Sequence, residues 1–495
     1  MDVMEAVAGR RLSRAPLAGN YAAAVTLALI ALCPFIVLST ASQLLTPQLV
    51  KDLHASMFSV QLADGLANAG YAFGAVAAAD LIQRFASWHL YVLAEIGFAA
   101  GSVLAALASS VGVFTAGRVI EGVATGMLLV AALPPLVTRH GAERLPLTAA
   151  FVNLGLFGMV SVGPAVGGQF AGDVNWRLLF VILAALGLTG AALGATAFQR
   201  DDDKNRMMGF DKSAIPVALA ATALPFFGVS WLIRGGFTSP AFYLPVVAGL
   251  LALCSLLLRQ YRKREALMPL RLIAHTLPVT GIATAMITGA TVTACLELSI
   301  VYLQQVRHES AGFTGAILAA MAAGVAAGAV LFKMMLRTRW LPAFALIGLG
   351  AAGAGALLLL ALSPSRAIPV VAAAGVLLGF AAGAGVSPGL FMAGLSAPSN
   401  KLGPTFAFVE LLRAEAAFLV APVVLQLAMQ ITPLDHGIRV ALVVLVLLCA
   451  VSGAAILAVL LLGGSRPQTP DLQAWVGGDQ PAYDSPPLAA AIRDV

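Results

Sequence analysis

Charge is scarce in this chain. Only 11% of its 495 residues are Asp, Glu, Lys or Arg, against about 25% in ordinary soluble domains, while 60% are hydrophobic. A soluble fold could not cover its surface from so small a polar stock, so lipid is the solvent for most of the molecule. Cysteine is nearly absent. Cys33, Cys254, Cys295 and Cys449 lie within apolar runs without CxxC spacing, which excludes a disulfide framework and marks them as packing residues. The six histidines, His54, His89, His140, His275, His308 and His436, are scattered among loops and span ends. No metal-ligand spacing, His–Asp loop pair or G-x-x-x-x-G-K-[ST] phosphate loop is present, so no metal, cofactor or enzymatic chemistry is expected. A cleavable signal peptide is not expected either, because the first apolar run, from Tyr21, is too long for one. The net charge of +6 comes from basic residues in short loops and does not point to nucleic acid.

Long apolar runs are what the sequence has. Fourteen are near or above the roughly 20 residues needed to span a bilayer: 22–46, 58–79, 88–110, 113–137, 147–170, 177–198, 214–233, 241–258, 277–304, 312–334, 340–362, 368–394, 404–431 and 437–462. With fourteen spans, 21 of the 29 Lys and Arg fall on the side holding both termini. Six fall on the other side, and two, Arg118 and Arg413, fall inside spans. The positive-inside rule then places both termini in the cytoplasm. Two longer charged loops, QRDDDKNRMMGFDKS and RQYRKREALMPLRLIAH, bracket spans 7 and 8. The predicted organisation is a cytoplasmic segment (1–20), a six-helix bundle (21–200), a linker with two inserted helices (201–272), a second six-helix bundle (273–463) and a tail (464–495). The Pro-, Gly- and Asp-rich composition of that tail predicts disorder.

The two bundles echo each other. Span 4 carries GVATGMLLVAALPPL (122–136) and span 12 carries GVLLGFAAGAGVSPGL (375–390), each with small residues followed by proline. Small residues let helix backbones approach closely, and repeated six-helix halves are a transporter design. At this point the sequence resembles the major facilitator superfamily, and within it the fourteen-helix drug–proton antiporter group. GPAVGG, with Gly163, Pro164, Gly167 and Gly168, is similar to the antiporter motif of span 5, and Trp176 and Arg177 follow it. The resemblance implies that a bend at this motif governs alternating access; a purely structural kink is the other reading. RVIEGVATG (118–126) is similar to the family's span 4 motif, with Arg118, Gly122 and Gly126 in place and Glu121 where Gln is usual. VAAADLIQRF (76–85) keeps Asp80 and Arg84 of the cytoplasmic gate loop but lacks its glycines. Span 1, PFIVLSTASQLLTPQL (34–49), lacks the acid found there in the antiporter group.

If that acid carries the proton in the antiporter group, another residue must carry it here. Acids inside spans are Asp64, Glu95, Glu121, Glu297, Glu410 and Glu415. A charge at mid-bilayer costs about 2.5–3.5 kcal/mol, so these should face the bundle interior, a watery cavity or one another. Proton-coupling candidates are Glu297, Glu410, Glu415, Asp64 and Glu121, with Arg118 and Arg413 as partners; Glu95 has no supporting neighbour in the sequence. Arg118 and Glu121 share a helix face, as do Glu410 and Arg413. Glu415 is turned about 140° from Glu410. Either Glu410 and Arg413 form a pair packed between helices while Glu415 reaches elsewhere, or they line a cavity while Glu415 meets a neighbour. Glu297, on the counterpart of span 1 in the second half, is a candidate to replace the missing acid.

The expectation is an all-α polytopic secondary transporter of major-facilitator type, acting as a monomer in a bacterial inner membrane. It would export a small amphipathic or cationic compound in exchange for protons. An uptake symporter and a non-transporting sensor are the alternatives, because two of the motifs are altered.

Overall fold

A computed structural model describes residues 16–172, 175–198, 211, 214–263, 266–478 and 480–489. Most of the loop 199–213 lies outside these residues, with Arg200, Lys204, Arg206 and Lys212; so do Arg10, Arg11, Arg14, Arg264 and Arg493 of the charge pattern. The first half comprises α1 (Tyr21–Asp52), α2 (Met57–Leu81), α3 (Ser87–Ala106), α4 (Val111–Thr138), α5 (Leu145–Phe170) and α6 (Trp176–Ala197). Two further helices follow, α7 (Ala214–Gly235) and α8 (Pro240–Arg262). The second half comprises α9 (Thr276–Val306), α10 (Ala311–Met335), α11 (Leu341–Leu359), α12 (Ala367–Leu395), α13 (Leu402–Met429) and α14 (Leu434–Leu462). A short helix, α15 (Leu472–Val476), lies in the tail.

The helix starts follow ordinary capping chemistry. Asn20, Ser56, Ser110, Asn175 and Ser310 each accept a hydrogen bond from a backbone N–H of the first turn. Pro146, Pro240 and Pro342 occupy first-turn positions, where a missing N–H costs nothing.

Twelve of the fourteen long helices are long and apolar enough to cross a membrane; α2 and α13 are not among them. They are the helices that carry Asp64 and Asp80, and Glu410, Arg413 and Glu415. Both are interior elements, packed against each other and against helices of both halves. Their charges are therefore covered by protein, which is the setting in which a low-hydropathy helix can persist within a bundle.

Packing repeats between the halves. The α4 glycines Gly122 and Gly126 lie against the backbone of α2 at Ala67 and Tyr71. The α12 glycines Gly379 and Gly383 lie against α10 at Met321 and Gly328. The inserted α7 packs on α2 and α13, where the two halves meet, and α8 packs on α7 with most of its surface exposed.

The tail departs from expectation. Its described residues are laid against the bundle, with Leu472, Trp475, Ala482 and Tyr483 buried. Composition over the whole segment is polar and proline-rich, but a few large apolar side chains are enough to dock it.

Candidate functional site

The largest concentration of buried charge lies between α2 and α4. Arg118 is fully buried. Its Nη1 donates to Glu121 Oε2 at 2.5 Å and its Nη2 to Asp64 Oδ1 at 3.4 Å. Glu121 also accepts from the Ser102 hydroxyl of α3 at 2.6 Å. Asp64 has Ser42 of α1 as a further polar neighbour and keeps 19% of its side chain exposed. The i, i+3 spacing of Arg118 and Glu121 brings the first pair together within one helix; Asp64 joins from α2, where the glycines of α4 hold the two backbones close. One guanidinium thus faces two carboxylates. With both ionised the cluster carries one negative charge in a low-dielectric setting, and a single proton neutralises it.

A second group bridges the halves. Arg413 of α13 binds Glu410 through Nε at 2.9 and 3.0 Å and through a further Nη2 contact. Tyr71 of α2 donates its hydroxyl to Glu410 Oε1 at 2.8 Å. Here one acid meets one base, and the pair is neutral as it stands. Phe35 of α1 links the groups: its ring stacks on Tyr71 at 5.5 Å between centroids, and Arg118 lies 5.5 Å from its centroid. The structure therefore forms the Glu410–Arg413 pair within α13 and packs it against Tyr71 of α2, the first of the two arrangements open from sequence.

The other acids stand apart. Glu415 is 4% exposed, and among the described residues neither of its carboxylate oxygens has a hydrogen-bond partner. Glu297 is half-buried on α9, with Gln43 of α1 as its polar neighbour. Glu95 is buried between α3 and α6, beside Tyr91 and against Gly190. Asp80 and Arg84 pair at 3.2 Å at the end of α2.

The GPAVGG segment lies in α5 and uses its glycines on two faces. Gly163 and Gly167 face α1; a Cβ at Gly167 would lie 2.6 Å from the Ala41 carbonyl oxygen. Gly168 faces Ala311 and Gly312 at the start of α10, and Gly315 of α10 faces the Pro164 carbonyl. A helix of the first half thus meets one of the second backbone to backbone. A second crossing lies elsewhere along α5, where Asn153 donates to the Gly383 carbonyl at 2.8 Å. Gly383 sits in a π-helical turn of α12, Ala382–Val386, a local widening that frees backbone carbonyls from the regular ladder.

Sequence reasoning missed Phe35, Tyr71 and Ser102. Each is an ordinary residue for an apolar helix, and no spacing rule separates a tyrosine facing a buried carboxylate from one that only packs. The four cysteines are free, and the described residues contain no cluster of three or more His, Cys, Asp or Glu placed to hold a metal.

Comparison with known proteins places these features in a wider group. The family profile described as Major Facilitator Superfamily matches residues 27–422. An uncharacterized MFS-type transporter of Bacillus subtilis is 25% identical over 276 residues, covering 55% of this chain and 53% of its own length. A multidrug resistance protein B homolog of Mycobacterium tuberculosis is 28% identical over 231 residues, 46% of this chain and 42% of that protein. The tetracenomycin C resistance and export protein of Streptomyces glaucescens is 25% identical over 232 residues, 47% and 43% of the two chains. The matches span about half the length of these relatives. Among solved structures, a human organic anion transporter superposes with a TM-score of 0.62 at 15% identity, covering 88% of this chain and 99% of the other. A peptide transporter in complex with sulfate gives 0.61 at 16% identity, covering 90% and 96%. These structural likenesses concern the fold.

Proposed function

This chain belongs to the Major Facilitator Superfamily, a family of transporters rather than enzymes, and from that premise we propose that it exports a small amphipathic or cationic compound in exchange for protons. The observation that carries the reading is the excess carboxylate on Arg118. A carrier needs a buried group that takes up one proton in one facing state and gives it up in the other. Asp64, Glu121 and one guanidinium form such a group, poised between a charge of minus one and zero. In this reading Asp64 is the titrating member, because it has the longer contact to Arg118 and the more exposed side chain. It stands on α2 beside α1 and supplies the acid that span 1 lacks. Glu297, on the opposite half, is the second candidate.

Glu410 and Arg413 then act in switching. Their link to Tyr71 crosses the line along which two six-helix halves, 21–200 and 273–463, rock against each other, and the glycine contacts of α5 with α10 form the other side of that line. Asp80 and Arg84 brace the cytoplasmic end of α2. We further propose that α2 and α13 cross the bilayer with the other twelve, giving fourteen spans with α7 and α8 as an inserted pair. Both termini lie in the cytoplasm, and the protein works as a monomer in a bacterial inner membrane. The names of the mycobacterial and streptomycete relatives support efflux as the direction.

The test is proton release from energised inverted vesicles on addition of lipophilic cations, with neutral and anionic compounds for comparison. Wild-type protein is expected to give saturable, cation-dependent release. Asp64→Asn should abolish it while leaving binding of the cation measurable, and Glu297→Gln should retain it. Undiminished release in Asp64→Asn would overturn the assignment of the proton site. No response to any compound from folded, correctly oriented protein would overturn proton-coupled export.

A further inference from the structure

The tail after α14 is built into the cytoplasmic end of the bundle. Ser465 shares a hydrogen bond with Thr276 at 2.8 Å. Asp471 caps α15 by accepting from the Ala474 N–H, and its own N–H donates to the Ala482 carbonyl, closing a loop. The Trp475 indole is 0% exposed, and its N–H donates to the Ala397 carbonyl at 2.8 Å. Ala482 N–H donates to Leu395 at 2.7 Å. Beyond it the chain runs beside the start of α9: Thr276 N–H donates to Pro486, and Leu488 N–H to Ala274, each at 3.0 Å. All these anchors belong to the second half. The helix α15 also packs on the turn Ala142–Arg144, which joins α4 to α5 in the first half. A second grip on the same turn comes from Arg337, after α10. It donates to the carbonyls of Ala142 and Glu143 and to the Glu143 carboxylate, each at 3.1 Å.

An anchored segment that reaches over to the opposite half resists separation of the two at that face. A fully buried tryptophan brings a large apolar contact area to such a joint, and the Ala397 bond fixes its orientation. We propose that residues 465–478 and 480–489 form a strap that holds the cytoplasmic face closed, and that the contact of α15 with the turn Ala142–Arg144 breaks when the protein opens to the cytoplasm. The strap rests on the alternating-access reading above, since it has something to hold only if the halves move apart.

Spin labels at Phe85→Cys and Arg339→Cys, both outside the contact of α15 with the turn, in full-length protein whose four native cysteines are replaced by alanine, report separation across this face. The comparison is between the intact tail, Trp475→Ala, Trp475→Phe and a chain ending at Gly464, each first checked for a monodisperse, cooperatively melting protein. The long-distance population is expected to rise about tenfold on truncation, a shift that is available to a contact of modest free energy. Trp475→Ala should give a smaller rise, and Trp475→Phe, which keeps apolar burial but loses the indole N–H, the smallest. Equal long-distance populations in all four, provided that added lipophilic cation or a change of pH moves them, would overturn the strap and leave alternating access standing. A single unchanging distance in every variant under every condition would overturn both.

Discussion

The two buried charge groups are built from the same residue types and differ in balance and in reach. Arg118 serves two carboxylates and lies within the first half. Arg413 serves one carboxylate and is tied to the other half through Tyr71. An unbalanced cluster inside one rigid unit keeps its geometry when the units move and can change its protonation. The balanced pair lies within α13, and its one contact to the other unit, from Tyr71 to Glu410, must be remade whenever the units rock. In the proposed reading, the difference separates two tasks that a coupled carrier must perform, with the proton carried by one group and the movement by the other.

The largest effects that would test this contrast concern stability. Removing one partner of a buried pair strands the other charge and costs about 3–5 kcal/mol. Arg413 keeps 17% of its side chain exposed, so Glu410→Gln should fall at the lower end of that range. Asp64→Asn, in contrast, leaves Arg118 paired with Glu121 and should cost less than about 1 kcal/mol, as is usual where no buried charge is stranded. Thermal midpoints of the purified variants check both. If Asp64→Asn melts as early as Glu410→Gln, Asp64 is not surplus and the contrast fails.

Tyr71→Phe removes one hydrogen bond to a charged group, an effect of about 1.5–3 kcal/mol. It should shift the balance between facing states, read as a change in labelling across the interface of α2 and α13. The number of protons exchanged per compound should stay the same. A changed proton stoichiometry would place Tyr71 and Glu410 in the proton path and merge the two groups. The smallest effect is expected from Glu143→Gln. The Arg337–Glu143 pair is exposed on both sides, so its loss should cost about 0.2–1 kcal/mol, and only the rate of opening at that face should register it.

How far the molecule could be read from its sequence depends on the kind of signal. Helix positions were legible because twenty apolar residues in a row leave few alternatives. The helix 4 and 12 glycines were legible because close backbone approach demands small residues. The pairs Arg118–Glu121 and Glu410–Arg413 follow from helical spacing alone. Long-range contacts were not legible: Asp64 reaches Arg118 from 54 residues away, and Tyr71 reaches Glu410 from 339. Periodicity within a helix says which residues share a face, not which helix that face meets. The tail was misread for a related reason. Its average composition is that of a linker, while its docking depends on Leu472, Trp475 and Tyr483 at positions that averaging hides.

Phe35 separates the two groups, and its chemistry sets what can pass between them. A benzene ring has no exchangeable hydrogen and no lone pair, so a hopping proton cannot travel through this contact. It transmits position and field only: a shift of the Arg118 guanidinium is felt by the Tyr71 phenol through the ring they share. Communication through this ring is therefore mechanical, and no proton relay joins the two groups across it.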